Sequence, residues 1–549
     1  MISRLFLFIF VFVGCSENYQ RQKIYHNAVV WTGESNNPRA TAIVVQDQFI
    51  IFVGNDEDAF LFADENAIKI DLKGNFVTPG LIDNHVHFMS GGLQLSRIDL
   101  SRVKSKVEFQ DLIAKADMEL KDGVWMQGGN WDHELWGGTY PDRSWIDEVV
   151  DDRPILLDRL DGHMALANSF ALSIAGITNE TQDPIGGIIK RDIYGSATGI
   201  LKDKAIDLCS VHIPDISAKE LDDALQKATD HALSLGITQV HDMGSWSDLE
   251  TYKRNYDNGN LRIRIKIYPW YENWKNLISF MQRNGSGDDW LRWDGIKGMM
   301  DGSLGSRTAW MHEPYLPYKE ISPTVGIITL DDTTKFKYLL RETDKKNIQH
   351  AVHAIGDKAN DWILNEYIKI KNDHGNIDRR SRVEHSQHLS ASAIQKFSKN
   401  GIIPSMQPYH LYDDGSWAHK RIKYDLLSRT YVFNSLIESG ANLTFGSDWT
   451  VAPLDPLKGM YAAITRRTRD GKNPQGWFPK QKISIDEALR CYTINNAFAA
   501  FWENTTGTIK SGKYADFVVF SMNLIDISAD ELLNAKVLRT VLAGKDHIF

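Results

Sequence analysis

The chain has 549 residues, of which 42% are hydrophobic, 24% charged and 11% aromatic, and its formal net charge is -9. That length gives a large core divided into at least two structural units, and the composition excludes a disordered chain or a short-period repeat. The acidic balance excludes phosphate-backbone binding as the main task, because such proteins carry a basic stripe or face, so nucleic acid is not an expected partner.

At the N-terminus, Arg4 precedes an apolar run from Leu5 to Val13, followed by Gly14-Cys15-Ser16-Glu17. The run is too short to span a bilayer, and a small residue before cysteine predicts an exported bacterial lipoprotein. On this reading residues 1–14 are a signal peptide. Cys15 carries a lipid after cleavage and holds the protein to a membrane, in the periplasm or at the outer membrane. A simple secretory peptide or an uncleaved anchor is the competing reading. With Cys15 acylated, Cys209 and Cys491 remain, enough for one disulfide but not for a framework.

Residues 24–78 alternate β-rich runs (Ala28 to Trp31, Ala42 to Val45, Phe49 to Val53) with turn residues, and the segment 505–549 resembles them, with short strands at Gly507 to Ile509, Asp516 to Phe520 and Val537 to Leu542. The two ends are expected to pair into one β-sandwich. From residue 79 to 504 the pattern changes to short apolar strands, each followed by a helical stretch. The strands are Leu81 to His87, Ile237 to Met243, Ile263 to Tyr268, Gly295 to Met300, Gln349 to Ile355, Arg382 to His385, Ile402 to Met406 and Leu443 to Gly446. Between them, Leu221 to Leu235, Phe336 to Thr343, Trp362 to Ile370 and Tyr431 to Ser439 place apolar residues at helical spacing. This α/β pattern predicts a (β/α)8 TIM barrel, whose active site lies at the C-terminal strand ends. Strands one and two are separated by roughly 150 residues where a βα unit needs about 30, so residues 90–220 are expected to form an inserted subdomain over the barrel mouth.

His85 and His87, at i and i+2 on strand one, point to the same side, and two neutral imidazoles there can ligate a divalent cation. Satisfied polar histidines in a barrel would give the same pair. The later strand ends add His353, His385 and Asp448, so that four histidines and one aspartate converge from strands one, five, six and eight. Other candidates admit two readings each. Arg307 either binds an anionic substrate group or pairs with Asp301. Tyr409 and His410, just after strand seven, line the pocket or pack their loop. His241 and Asp242 support the site or are ordinary strand-end residues. Trp131, in the glycine-containing stretch Gly128-Gly129-Asn130-Trp131, lines an aromatic pocket or packs a core.

Thr78-Pro79-Gly80-Leu81-Ile82-Asp83-Asn84-His85-Val86-His87, with the later histidines and Asp448, resembles the amidohydrolase superfamily. The stretches Asp301 to Ala309, His353-Ala354-Ile355-Gly356-Asp357 and Gly446-Ser447-Asp448-Trp449 to Asp455-Pro456-Leu457 are similar to the branch containing N-substituted formamide deformylase. Within the insertion, Asp161-Gly162-His163 and Asn168-Ser169 also match. The resemblance implies a metal-activated water attacking an amide-type carbon, with one or two divalent ions, zinc favoured, and a small-molecule substrate. It places a carboxylated Lys297 on strand four as an anionic bridge between His85/His87 and His353/His385; an unmodified Lys297 beside a single ion is the alternative. Asp448 then moves the proton, and His163 either orients the substrate carbonyl or is a turn histidine. Deamination, ester cleavage, cyclic-amide hydrolysis or non-catalytic ligand binding on the same barrel remain open, as does oligomerisation.

Overall fold

Eight short runs rich in apolar residues form the centre of the molecule as parallel strands: Leu81–Val86, Ile237–Asp242, Arg264–Ile267, Gly295–Met299, Gln349–Ala354, Arg382–His385, Ile403–Met406 and Thr444–Phe445. The computed structural model describes residues 21–121, 123–159, 164–185, 187–317, 324–330 and 332–549; the segment read as a signal peptide, with Cys15, and His163 lie outside them. The first three strands pair in chain order, and the fourth to eighth do likewise. A parallel bridge between Trp270 and Lys297 joins the two groups, and one between Val86 and Trp449 joins the eighth strand back to the first. The ring therefore closes, giving a TIM-barrel-type α/β fold.

Helices cover the outside because their apolar faces have nowhere else to go. Ala218–Ser234 opens with a Ser217/Glu220 capping box and buries Leu225, Ala228 and Ala232, and Asp357–His374 buries Ile363, Leu364 and Ile370. Tyr431, read as the start of a helix, has φ 52°, so that helix begins only at Phe433.

The chain ends build two further sheets. One has the order Phe49–Gly54, Ala42–Gln46, Lys23–His26, Ile68–Asp71; the other runs Lys545–Ile548, Val537–Leu542, Phe517–Phe520, Phe76–Pro79, Val29–Trp31, Arg39–Ala40. Alternation decides what each strand covers. Phe517 and Val519 join Tyr25, Val30 and Ile43 in a core of these sheets, while Val518 and Phe520 face the barrel core. Gly507 to Ile509, read as a strand, is not one: Ile509 is buried in the same core but lies in irregular chain after a bend, its N–H donating to Thr32 O at 2.9 Å.

The long connection after the first strand contains a six-stranded sheet with the order Gly187–Arg191, Ala197–Asp203, Met164–Ala167, Ile155–Arg159, Met126–Trp131, Ile98–Asp99. It has a separate core on each face, one around Phe109, Trp131 and Leu157, the other around Leu156, Leu172 and Cys209. Cys209 and Cys491 are both buried and free, so they form no disulfide. Among the described residues no helix is long and apolar enough to cross a membrane.

Candidate metal centre

The C-terminal strand ends bring one polar cluster together. Nitrogen atoms of His85 and His385 and a carboxylate oxygen of Asp448 lie within 4.8 Å of one another, all on buried residues. Asp448 Oδ1 is 3.5 Å from His85 Nε2 and 3.3 Å from His87 Nε2. Lys297 Nζ stands 3.5 Å from His85 Nε2, and the rings of His353 and His385 are 4.4 Å apart. The His85 side chain is 1% exposed and that of His87 31%, so the cluster opens to solvent on the His87 side.

Alternation along the strands does not account for all of these placements. His85, Lys297 and His353 point inward by ordinary pleating, but on Arg382–His385 it is Arg382 and Glu384 that face the barrel interior. His385 is turned back towards the centre by a left-handed backbone (φ 70°), and Asp448 has φ 60° just past the eighth strand. Such backbone in non-glycine residues is held by its surroundings. Here Asp448 N–H donates to His85 O at 2.7 Å, and Asp83 Oδ1 accepts the N–H groups of His85 and Ser447 at 3.1 and 3.0 Å. Gly446 permits that approach: a Cβ on it would lie 2.6 Å from His85 N.

Each histidine has one ring nitrogen tied to a protein acceptor. Nδ1 of His85 meets Glu384 Oε2 at 2.6 Å, Nδ1 of His87 meets Met243 O at 3.1 Å, Nδ1 of His385 meets Gln407 Oε1 at 2.8 Å, and Nε2 of His353 meets Gly302 O at 3.1 Å. Each acceptor fixes the tautomer, leaving a lone pair on Nε2 of His85, His87 and His385 and on Nδ1 of His353. Burial, with the Lys297 charge second, pushes His85 down to about 4 and His353 to about 3; burial and then His353 hold His385 well below the ordinary range. These three are neutral at pH 7, the form that ligates metal. Burial also opposes charge on His87, but its hydrogen bond with Asp448 outweighs this and raises it. For Asp448 burial is likewise outweighed, by His87 and then by His85 and His385, and its carboxyl is held well below the usual range. Three neutral imidazoles, an ionised carboxylate and a buried amine pushed down to about 8 by burial make a donor set that suits one or two divalent cations. His85, His87, His385, His353 and Asp448 would hold them, with Lys297 between.

The other sequence candidates divide. Among the groups around His410, Asp448 Oδ2 lies 3.8 Å from Nε2 and the His385 ring is stacked parallel at 6.3 Å; that nitrogen is buried without a hydrogen-bond partner. Tyr409 packs its ring 5.5 Å from Tyr412, the loop-packing alternative. Arg307 donates to the carbonyls of Leu316 and Lys420 at 2.6 and 3.2 Å, tying rim loops, while the Asp301 carboxylate is spanned by the N–H groups of Trp310, Ile355 and Gly356. Trp131 is a correction: it is fully buried in a core of the sheet that follows the first strand and its Nε1 donates to Leu157 O at 2.8 Å, so it takes the core-packing alternative and not the aromatic pocket. His241 accepts from Arg382 at 2.9 Å, and Asp242 Oδ1 accepts Phe88 N–H at 2.7 Å, steadying the residue after His87.

Sequence reasoning missed Glu384, Arg382 and Ser405. Glu384 holds His85, accepts from Ser405 Oγ at 2.6 Å and takes two guanidinium contacts from Arg382 at 2.8 and 3.0 Å. The signal was present: two opposite charges at i and i+2 on a strand with every residue buried need an internal partner.

Comparison with known proteins places this geometry in context. The amidohydrolase family model matches residues 69–546. The LONG AFTER FAR-RED 3 protein of Arabidopsis thaliana is 37% identical over 532 residues, covering 94% of this chain and 90% of the relative. N-substituted formamide deformylase of Arthrobacter pascens is 26% identical over 541 residues, covering 94% and 96%. A solved metal-dependent hydrolase of uncharacterized function from Pyrococcus furiosus superposes with a TM-score of 0.74 at 25% identity, covering 92% of this chain and 99% of the other.

Proposed function

The chain belongs to the amidohydrolase family, and from that premise we propose that it hydrolyses an amide-type carbon–nitrogen bond, N-formyl or N-acyl, in a small-molecule substrate. The observation that carries this reading is the convergence of His85, His385 and Asp448 within 4.8 Å, on a site open at His87. The N-substituted formamide deformylase relative, similar over nearly the full length of both chains, favours a small acyl group. Nitrogen and carboxylate donors favour zinc.

When bound, the metal supplies the Lewis acidity that brings a water's pKa towards neutrality and polarises a carbonyl. Asp448, ionised and 3.3 Å from His87, is in the form that accepts a proton from that water and afterwards gives it to the departing nitrogen. His410 presents its unpartnered Nε2 beside Asp448, where a ring N–H donates to the substrate oxygen as charge develops there. Lys297, pushed down to about 8 by burial, offers at neutral pH a minor fraction of the free amine that adding CO2 requires, and a carbamate formed there would be the anionic bridge expected on strand four. His163 keeps its proposed role over the mouth, and the N-terminal segment its proposed lipid anchor.

The test is metal analysis of purified protein followed by a panel of N-formyl, N-acetyl, cyclic-amide and ester substrates. Turnover of N-formyl or N-acyl amines by the metal-loaded protein is expected. A reconstituted protein that cleaves only esters, or deaminates, would overturn the bond assignment. Failure to retain any metal would overturn the hydrolase reading.

A further inference from the structure

The outer face of the N-terminal sheet carries an apolar surface far from the metal-centre strands in sequence. Helix Asp56–Phe62 packs on strands Lys23–His26, Ala42–Gln46 and Phe49–Gly54 through the buried Ala59. Its last turn turns Phe60, Leu61 and Phe62 outward, 39%, 79% and 52% exposed, and Ile68 on the neighbouring edge strand is 44% exposed. The two phenylalanine rings have partners. Phe62 stacks on Phe52 at 5.1 Å, Phe60 meets His26 at 5.0 Å, and Lys69 lies over the Phe60 ring at 4.9 Å. Scattered exposed apolar residues are ordinary on any surface, but a contiguous group of large ones marks a contact.

The path of the chain indicates with what. Gln22 O accepts the Ile68 N–H at 2.8 Å, and Gln22 Oε1 accepts the Asp64 N–H at 2.8 Å, two residues beyond Phe62. The N-terminal segment therefore enters the fold at the margin of the apolar surface. From Arg21 back to Cys15 is a tether of at most about 20 Å when fully extended. If Cys15 carries a lipid, the surface next to the tether is the one brought against the bilayer.

We infer that Phe60, Leu61, Phe62 and Ile68 form a membrane-contact surface that seats the protein on a zwitterionic phospholipid bilayer beside its lipidated N-terminus. This rests on the lipoprotein reading of Cys15. The charge pattern selects the lipid: Asp56, Glu57 and Asp58 in the first turn of the helix would be repelled by anionic headgroups, while Lys69, over the Phe60 ring, can place its ammonium group at the headgroup level with its stem along apolar surface. A short apolar wedge beside a lipid sets orientation rather than affinity, since the lipid supplies most of the attachment.

The experiment uses the full-length protein with Leu61→Cys, labelled with an environment-sensitive fluorophore and reconstituted in phosphatidylcholine vesicles containing brominated acyl chains. Cys209 and Cys491 are buried, so the introduced thiol takes the label. Val107→Cys, at a position 66% exposed in the inserted subdomain, is the reference. The inference expects about twofold quenching at 61 and little at 107. Mass analysis of Cys15 is read separately. Absence of a lipid there overturns the tether and this inference with it. A lipidated Cys15 with equal quenching at both positions overturns the contact surface alone. Should unacylated Cys15→Ser protein dimerise with concentration and Leu61→Asp disperse the dimer, the surface belongs to a second copy of the chain and the membrane assignment is overturned.

Discussion

Replacing Glu384 by Gln tests whether the carboxylate behind His85 sets the metal centre. Glu384 Oε2 accepts from His85 Nδ1 at 2.6 Å, while Arg382 holds both carboxylate oxygens. A glutamine has one oxygen and one amide NH2. Its oxygen takes the Oε2 place, where His85 Nδ1, Ser405 Oγ and one Arg382 nitrogen all donate, and its NH2 takes the Oε1 place against the other Arg382 nitrogen. His85 keeps its tautomer but loses the anionic acceptor behind it, so its ring is a weaker donor to the metal. Outer-sphere changes of this kind cost about 10–100-fold in metal affinity, or roughly 1.4–2.7 kcal/mol. A second cost is separate: Arg382, fully buried, loses its counter-charge, which on breaking buried pairs costs about 3–5 kcal/mol of stability. Chelator-competition titration reads the first, and thermal unfolding with excess chelator reads the second. Unchanged metal affinity in a folded Glu384→Gln protein would refute a role for that negative charge at the metal centre, whatever happened to its unfolding temperature.

Four other outcomes are expected. Asp448→Asn should lower kcat by about 10²–10⁴-fold with the fold retained by circular dichroism, since the proton carrier is lost; substantial turnover in that variant refutes the role. His410→Ala should lower kcat by about 10²-fold at unchanged metal content, and equal kcat with wild type would remove His410 from the chemistry. Trp131→Ala should cost about 3–5 kcal/mol in calorimetric stability with no change in metal content, as expected of a subdomain core residue. His350, bonded to Thr343 Oγ1 at 2.9 Å and pushed down to about 4 by burial, stays neutral in the folded state while the unfolded chain takes up a proton near 6.5. Its contribution is full above pH 6.5 and is lost as pH falls towards 4. His350→Gln should remove roughly 3 kcal/mol of that loss in the metal-free protein, measured as wild type against variant at each pH. Comparison at each pH matters because Asp83, Asp242 and Asp301, raised to about 7 by burial, act in the opposite direction.

Periodicity carried the barrel strands and placed the inward-pointing ligands. Leu81 to His87 reads as a strand because six successive residues are buried on both faces, and His85 follows from its pleat. Helix ends were less legible: Phe336 to Thr343 extends to Thr333–Asp344 because Asp332 caps two backbone N–H groups, and Trp362 to Ile370 extends to Asp357–His374. A window of apolar spacing does not see a cap. His385 was found by its residue type and not by its parity, since strict alternation turns it out of the barrel and only a left-handed backbone turns it back. Glu384 and Gln407 were invisible as ligand supports because which histidine each would meet depends on distances across the barrel. Trp131 was misread because glycine neighbours mimic a loop, whereas Gly128 and Gly129 lie within a strand where a Cβ would collide with Ile98 O and Asp158 O.

The pairing of the chain ends has a consequence for how the protein is made. Phe76–Pro79 leads through Gly80 alone into the strand that bears His85, and the neighbour that covers it, Phe517–Phe520, leaves the ribosome more than four hundred residues later. Until then the earliest-made strands have an open edge and an uncovered apolar face, of the kind that chaperones hold and that aggregates recruit. The metal centre is thus anchored, through one glycine, to a strand translated long after it. Nascent chains halted before residue 517 lack that anchor however much of the barrel they contain.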